Sequence, residues 1–162
     1  MTDAPAGHDD TTDPLVDVRL LRYPLQIGAR ASDHYAEVVR EFALETATGS
    51  VAPDSVPALV SDLVSALEDR RARNLELEAE RSAAIARGES QRDFVLRVPP
   101  SVLDIGRRLD ALLDAADQYS RDGRVLALEP DDEVVAFRRW YLREIVTQVG
   151  GGCPTSWPGE PS

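Results

Sequence analysis

Residues 134–146 read VVAFRRWYLREIV, and no other stretch constrains the fold as strongly. Taking Phe137 as origin and about 100° per residue, a helix here sets Tyr141 at about 40°, Val134 at about 60°, Ile145 at about 80° and Trp140 at about −60°. Val135, Leu142 and Val146 fall on the other side, at about 140–180°. A helix resting on a single layer needs an apolar stripe of only about 100°. This one must be sandwiched between other elements of the chain, or covered on its second face by a partner. Phe137, Tyr141 and Ile145 are expected to close the core. Arg139 and Arg143, together at about 200–240°, form the solvated edge. Arg138, at about 100°, and Glu144, at about 340°, fall inside the apolar arc. A charge placed there must be paired. Arg138 therefore requires an acid from elsewhere, and the 110–117 region is a candidate source. The candidate interaction residues are Arg138, Arg139, Trp140, Arg143, Val135, Leu142 and Val146.

The rest of the 162-residue chain sets the context for that helix. The length suits one domain, and a hydrophobic content of 43% supplies a core. Residues 1–14 hold four aspartates and no arginine and read as a disordered acidic tail. Residues 15–149 read as one compact domain. Residues 150–162, GGGCPTSWPGEPS, read as a flexible Gly/Pro tail in which Trp157 is incidental or a docking anchor.

Within the domain, Val16, Val18 and Leu20 alternate with Asp17 and Arg19, the period of a strand over about 16–23. Pro24 puts its end at an edge or bend. Tyr35, Val38, Val39 and Phe42 then recur at helical spacing. Ser55 is a plausible cap for a second helical stretch, whose core face carries Val56, Leu59, Val60, Leu63 and Leu67. From 68 to 87 the pattern becomes heavily charged, and the segment either projects, breaks near Asn74 or meets a partner. Phe94, Leu96 and Val98 alternate in a strand over about 92–98, stopped by Pro99 and Pro100. A helix striped by Ile105, Leu109, Leu112, Ala116 and Tyr119 follows and ends at residues 121–123. Residues 125–128 read as a possible third strand. Pro130, Asp131 and Asp132 open the last helix, which stops at Gly150. The expected class is α+β, mostly helical, with four or five helices and a small sheet of two or three short strands. Leu21-Arg22-Tyr23-Pro24 and Leu96-Arg97-Val98-Pro99 echo one another, each before a helix, so their strands could share one sheet.

Composition excludes several chemistries. The net charge is −11, and an acidic body repels phosphate backbones and anionic bilayers, so neither nucleic acid nor membrane is an expected partner. Every basic side chain other than the two histidines is arginine, which removes Schiff-base and P-loop lysine chemistry. One cysteine, Cys153, rules out an intramolecular disulfide. The N-terminus has no basic start and no apolar run, so the expected location is cytoplasmic. His8 and His34 have no second ligand nearby, and His34 reads as a partly exposed residue of a helix's first turn. GGG at 150–152 lacks the GK[ST] of a phosphate loop. No catalytic, cofactor-binding or metal-binding residue is expected, and the chain reads as a non-enzyme.

LVSDLVSAL, residues 59–67, resembles the first motif helix of the small ATP-binding anti-sigma-factor kinases. Asp62 matches the acid, but Ala66 stands where the magnesium-holding Asn belongs, and no DxGxG segment follows. The resemblance therefore implies no kinase activity. Over residues 15–148, the segments VRLLRYPLQIGARASDHYAEVVREFAL, FVLRVPPSV, LLDAADQY and VVAFRRWYLREI resemble an uncharacterised family of small proteins of high-GC bacteria. Genes of that family lie near anti-sigma-factor kinases, STAS-type antagonists and PP2C-type phosphatases. The resemblance implies a non-enzymatic regulator acting through protein–protein contact, with an anti-sigma-factor kinase or a STAS-type protein as partner; a homodimer is also compatible. The other reading is a small-molecule sensor or enzyme whose pocket lies between the sheet and the last helix, contacted by Arg138 and Trp140.

Overall fold

The computed structural model describes residues 14–49, 52, 55, 57–60, 71–123 and 129–159. Strand β1 (Val16–Pro24) runs directly into helix α1 (Leu25–Ala47). Residues 57–60 form a helical turn, capped by the Ser55 hydroxyl, which accepts from the Ala58 N–H at 3.4 Å. Helix α2 (Arg71–Ala86), strand β2 (Gln91–Val98), helix α3 (Val102–Arg121) and helix α4 (Asp132–Val149) follow. The class is α+β and mostly helical, as the periodicities indicated. The suspected third strand at 125–128 and the kinase-like segment from 61 onward lie outside the described residues.

The two strands whose sequences echo one another pair antiparallel, with Val16 opposite Val98, Val18 opposite Leu96 and Leu20 opposite Phe94. The register then shifts, so that Leu21 and Arg22 stand opposite the single residue Asp93 before Tyr23 meets Arg92. This bulge reverses the inward-outward parity of the strand. Leu20 and Tyr23, three residues apart, therefore both face the core. Arg22 adopts φ 54°, and its N–H is satisfied by Asp93 Oδ1 at 2.7 Å.

Helix α4 packs against α3, β1 and α1. That answers the width of its apolar arc: the chain itself covers both sides. Asp131 caps the helix by accepting from the Val134 N–H at 2.8 Å. The main core gathers Val18, Leu20, Tyr23, Leu25, Phe94, Phe137, Trp140 and Ile145. A smaller cluster joins Val38, Phe42, Val60 and Ala116. Helix α1 begins at Leu25, several residues before the sequence suggests. His34 consequently sits in its third turn, nearly buried, not in an exposed first turn. The charged segment neither projects nor breaks near Asn74: α2 runs unbroken through that residue and over 75–86 packs on the chain's own core, with Ala84 and Arg81 buried and Leu77 and Ile85 leaning on it.

The largest departure lies at the C-terminus. Residues 151–159 do not form a loose tail. Gly151 adopts φ 90°, and a Cβ on Gly152 would lie 2.5 Å from Thr147 Cγ2, so the glycines reverse the chain tightly at the end of α4. The returning segment lays Trp157 against Phe137 and Trp140, with ring centroids 6.0 and 5.5 Å away, and leaves it 3% exposed. The Trp157 N–H donates to the Leu21 carbonyl at 2.9 Å. Among the described residues, no helix is long and apolar enough to cross a membrane.

Candidate functional site

Helix α4 separates two clefts. The first, of about 290 Å³, lies among β1, α1, α2, α3 and α4. Leu77, Leu109, Leu113, Phe137, Tyr141 and Leu142 give it apolar walls, and Tyr23 and Tyr35 add two more phenol rings. Burial holds the hydroxyls of Tyr23, Tyr35 and Tyr141 above their ordinary value of 10.0. Arg81 partly offsets the rise for Tyr23, and Arg138 does so for Tyr35. All three rings are therefore neutral hydrogen-bonding groups at physiological pH. Gly28 makes the floor: a Cβ there would fall 2.3 Å from the Tyr23 hydroxyl oxygen, so only glycine lets α1 start against that ring.

Two guanidinium groups reach this cleft, and they differ in how their charge is met. Arg138 is 4% exposed and faces three carboxylates of α3. Asp117 Oδ2 lies 3.1 Å from Nη1, Asp114 bonds Nη2, and Asp110 lies 3.6 Å from Nε. Spaced at i, i+4 and i+7, these acids share one face of α3, so the sequence supplies a ready-made cradle. The Arg138 guanidinium also stacks over the Tyr35 ring at 5.6 Å. Burial alone would depress its pKa, but Tyr35 and the acids outweigh that and raise it. Its charge is internally balanced.

The Asp117 carboxylate, 2% exposed, also receives the Tyr35 hydroxyl at 3.4 Å, and His34 Nε2 lies 3.9 Å from its other oxygen. Asp114 sits at the rim, where it accepts from Arg138 and from Arg139 at 3.1 Å. Partial burial pushes its carboxyl upward, but the two arginines overcome this and hold it below its ordinary 3.8. A carboxylate with a depressed folded-state pKa stabilises the protein above its unfolded pKa and loses that contribution as pH falls through the folded value. Thermal unfolding temperature is therefore expected to drop as pH falls below about 4, and less steeply in Asp114→Asn than in the wild type. Parallel profiles for the two proteins would remove Asp114 from the account.

Arg81 is different. It is 8% exposed, yet among the described residues it forms no ion pair. Its Nη1 donates to the Gly28 carbonyl at 3.1 Å, and its buried Nε has no acceptor. One turn away, Glu78 also lines the cleft and accepts weakly from the Ser32 hydroxyl at 3.4 Å. The cleft thus joins a large apolar lining to a buried cation that also hydrogen-bonds the Tyr23 hydroxyl but, among the described residues, forms no ion pair and leaves its Nε without an acceptor, and a buried charge is costly unless something pairs with it.

The second cleft, of about 480 Å³, lies on the other side of α4, between that helix and the returning C-terminal segment. Arg139, Trp140, Arg143, Trp157 and Pro158 line it. Glu144 and Gln148 hold this segment in place. Glu144, 1% exposed, meets no cation among the described residues; it accepts from the Thr155 N–H at 2.9 Å, from the Thr155 hydroxyl and from Gln148 Nε2 at 3.0 Å. Trp140 Nε1–H donates to the Thr155 carbonyl at 3.3 Å. The Gln148 amide bonds both main-chain groups of Arg19, each at 2.8 Å, as a neighbouring strand would.

The candidate interaction residues therefore scatter. Arg138 and Leu142 line the first cleft; Arg139, Trp140 and Arg143 line the second. Val135 and Leu142 are buried and Val146 is half-buried, its Cγ2 close above Gly106 of α3. Of the two alternatives for this edge, packing within the chain describes it, with α3 lying against Val146 at Gly106. The acid expected for Arg138 does come from the 110–117 region. Sequence reasoning missed Arg81 and Thr155, included Asp117 only within a region, and noted Trp157 without placing it in the core. For Arg81 a signal was present: it stands at i+4 from Leu77 and i−4 from Ile85, a charge on the apolar stripe of α2, the same pattern that marked Arg138. Among the described residues, no group of His, Cys, Asp and Glu could hold a metal ion. No protein-family model, curated protein or solved structure matches the chain.

Proposed function

We propose that this chain is a non-enzymatic binding protein whose first cleft takes a small molecule with a carboxylate-class head and an apolar body. One observation carries the reading: Arg81, buried and without an ion pair among the described residues, lines a cleft otherwise built of leucines and aromatic rings. Pockets for small ligands are mostly apolar, with few placed polar groups. Here Arg81 would meet the anionic head, the neutral phenols of Tyr35 and Tyr141 would orient it, and Phe137 with the leucines would enclose the body. Glu78 adds an acceptor for an amine beside the head, so apolar amino acids belong in the test set.

Thermal-shift measurements with phenylacetate, benzoate, octanoate, phenylalanine and leucine test this. A ligand at 100 times its Kd stabilises the folded state by about 2.7 kcal/mol. At least one of these probes is expected to raise the unfolding temperature, and Arg81→Met is expected to abolish the shift while remaining folded. Shifts by none of the five, or a shift that survives Arg81→Met, would overturn the reading.

A second reading is a regulator that docks a protein, as the resemblance to the family near anti-sigma-factor kinase and STAS-type genes implies. The second cleft favours it, because exposed Arg139 and Arg143 flank the edges of Trp140 and Trp157 there, and an aromatic floor with an arginine rim is the composition of interface hot spots. Charge reversal at Arg139 and Arg143 separates the two readings, since neither residue lines the first cleft.

A further inference from the structure

Two opposite charges of α2 line the first cleft without pairing with each other. Glu78 and Arg81 stand at i and i+3, a spacing that puts both on one face of the helix and within reach of a direct ion pair. They turn to α1 instead. Glu78 accepts from the Ser32 hydroxyl at 3.4 Å, and Arg81 Nη1 donates to the Gly28 carbonyl at 3.1 Å. Gly28 and Ser32 are themselves one turn apart, so α1 holds the acid and the cation side by side. Arg81 also hydrogen-bonds the Tyr23 hydroxyl. Each of these partners is neutral. A carboxylate has two acceptor oxygens and a guanidinium five donors, so both groups keep capacity beyond these bonds. The cleft beside them holds about 290 Å³, the liquid volume of about ten waters. That space suits one amino acid and is too small to enclose a nucleotide or a peptide.

We propose that the ligand of this cleft is a free α-amino acid with an apolar side chain, its carboxylate on Arg81 and its ammonium on Glu78. The inference rests on the reading of the cleft as a small-molecule site and narrows it from carboxylates at large to zwitterions. A zwitterion carries its two charges close together, and an acid and a cation on one helix face meet them in a single orientation. Binding gives Arg81 an anion and Glu78 a cation, which their neutral partners do not supply. A simple carboxylic acid on Arg81 brings a second anion beside Glu78, and like charges at close range repel. The ammonium of an amino acid offsets that repulsion. With the charged end fixed, Phe137 and the leucines of the lining enclose the side chain. A site built to bond an amine discriminates against the analogue that lacks it, because its own polar group is then left without a partner.

Titration calorimetry on the full chain tests the proposal with matched probes. Phenylalanine is set against 3-phenylpropionate, which lacks only the amine, and leucine against 4-methylpentanoate. At least one amino acid is expected to bind about tenfold tighter than its match, the scale of one hydrogen bond to a charged group. Glu78→Gln, with circular dichroism confirming fold, is expected to erase that preference while the simple carboxylate still binds. If the variant does not fold, the wild-type comparison decides alone. Carboxylates that bind the wild type as tightly as the amino acids, or a preference that survives in folded Glu78→Gln, would overturn the inference and leave the carboxylate site standing. Binding by none of the four probes would overturn it together with the reading on which it rests.

Discussion

Arg138→Leu is expected to cost about 3–5 kcal/mol of stability, measured by urea unfolding, because it strands Asp117 without its cation. Asp117 is 2% exposed and cannot be rescued by water where it stands. Asp110 and Asp114 are about half-exposed, so they can rehydrate and should add little. The companion variant Arg138→Leu/Asp117→Leu separates attraction from desolvation. Replacing both partners of a buried pair by apolar groups is often nearly neutral. The double variant is therefore expected to regain most of what the single variant loses. A loss below about 1 kcal/mol in Arg138→Leu would place that residue among ordinary surface charges.

Trp157→Ala is expected to cost a similar amount, about 3–5 kcal/mol, as for other buried Trp or Phe truncations. The indole completes an aromatic group with Tyr23, Phe94, Phe137 and Trp140, whose rings meet mostly edge-to-face. Truncation after Gly150 should cost at least as much, since it also removes both Thr155 donors from buried Glu144. A dispensable tail would behave otherwise: both changes would fall within about 0.5 kcal/mol, as surface substitutions do. Unfolding curves of the two variants beside the wild type decide between these outcomes.

The contrast between these two residues shows what a sequence can and cannot disclose. Arg138 was legible because its helix is regular. Once the period is fixed, a cation at about 100° lies in an apolar arc and must find an acid. Asp110, Asp114 and Asp117 sit on one face of another regular helix, so even the source of the partner could be named. Trp157 was not legible. Residues 150–159 have no period, and their Gly, Pro and Ser content suggests a flexible segment. What holds them is a set of long-range contacts, Thr155 with Glu144 and Trp157 with Leu21, which no local pattern encodes.

The same division runs through the molecule. The hydrophobic periods of α1, α3 and α4 and the alternation in β1 and β2 are local properties, set by backbone geometry, and the sequence alone determined them. It also determined that α4 must be covered on two sides. Only the tertiary structure decided what covers it: α3, with Gly106 beneath Val146, and the returning C-terminal segment over Phe137 and Trp140. It alone brought Arg81 of α2 to the cleft beside Tyr23 and Tyr35 while leaving that cation unpaired among the described residues. A wheel projection gives the direction in which a side chain points, but not what stands opposite. Pairing, burial and cavities arise when separate elements meet, and those meetings are fixed by the packing of the whole chain.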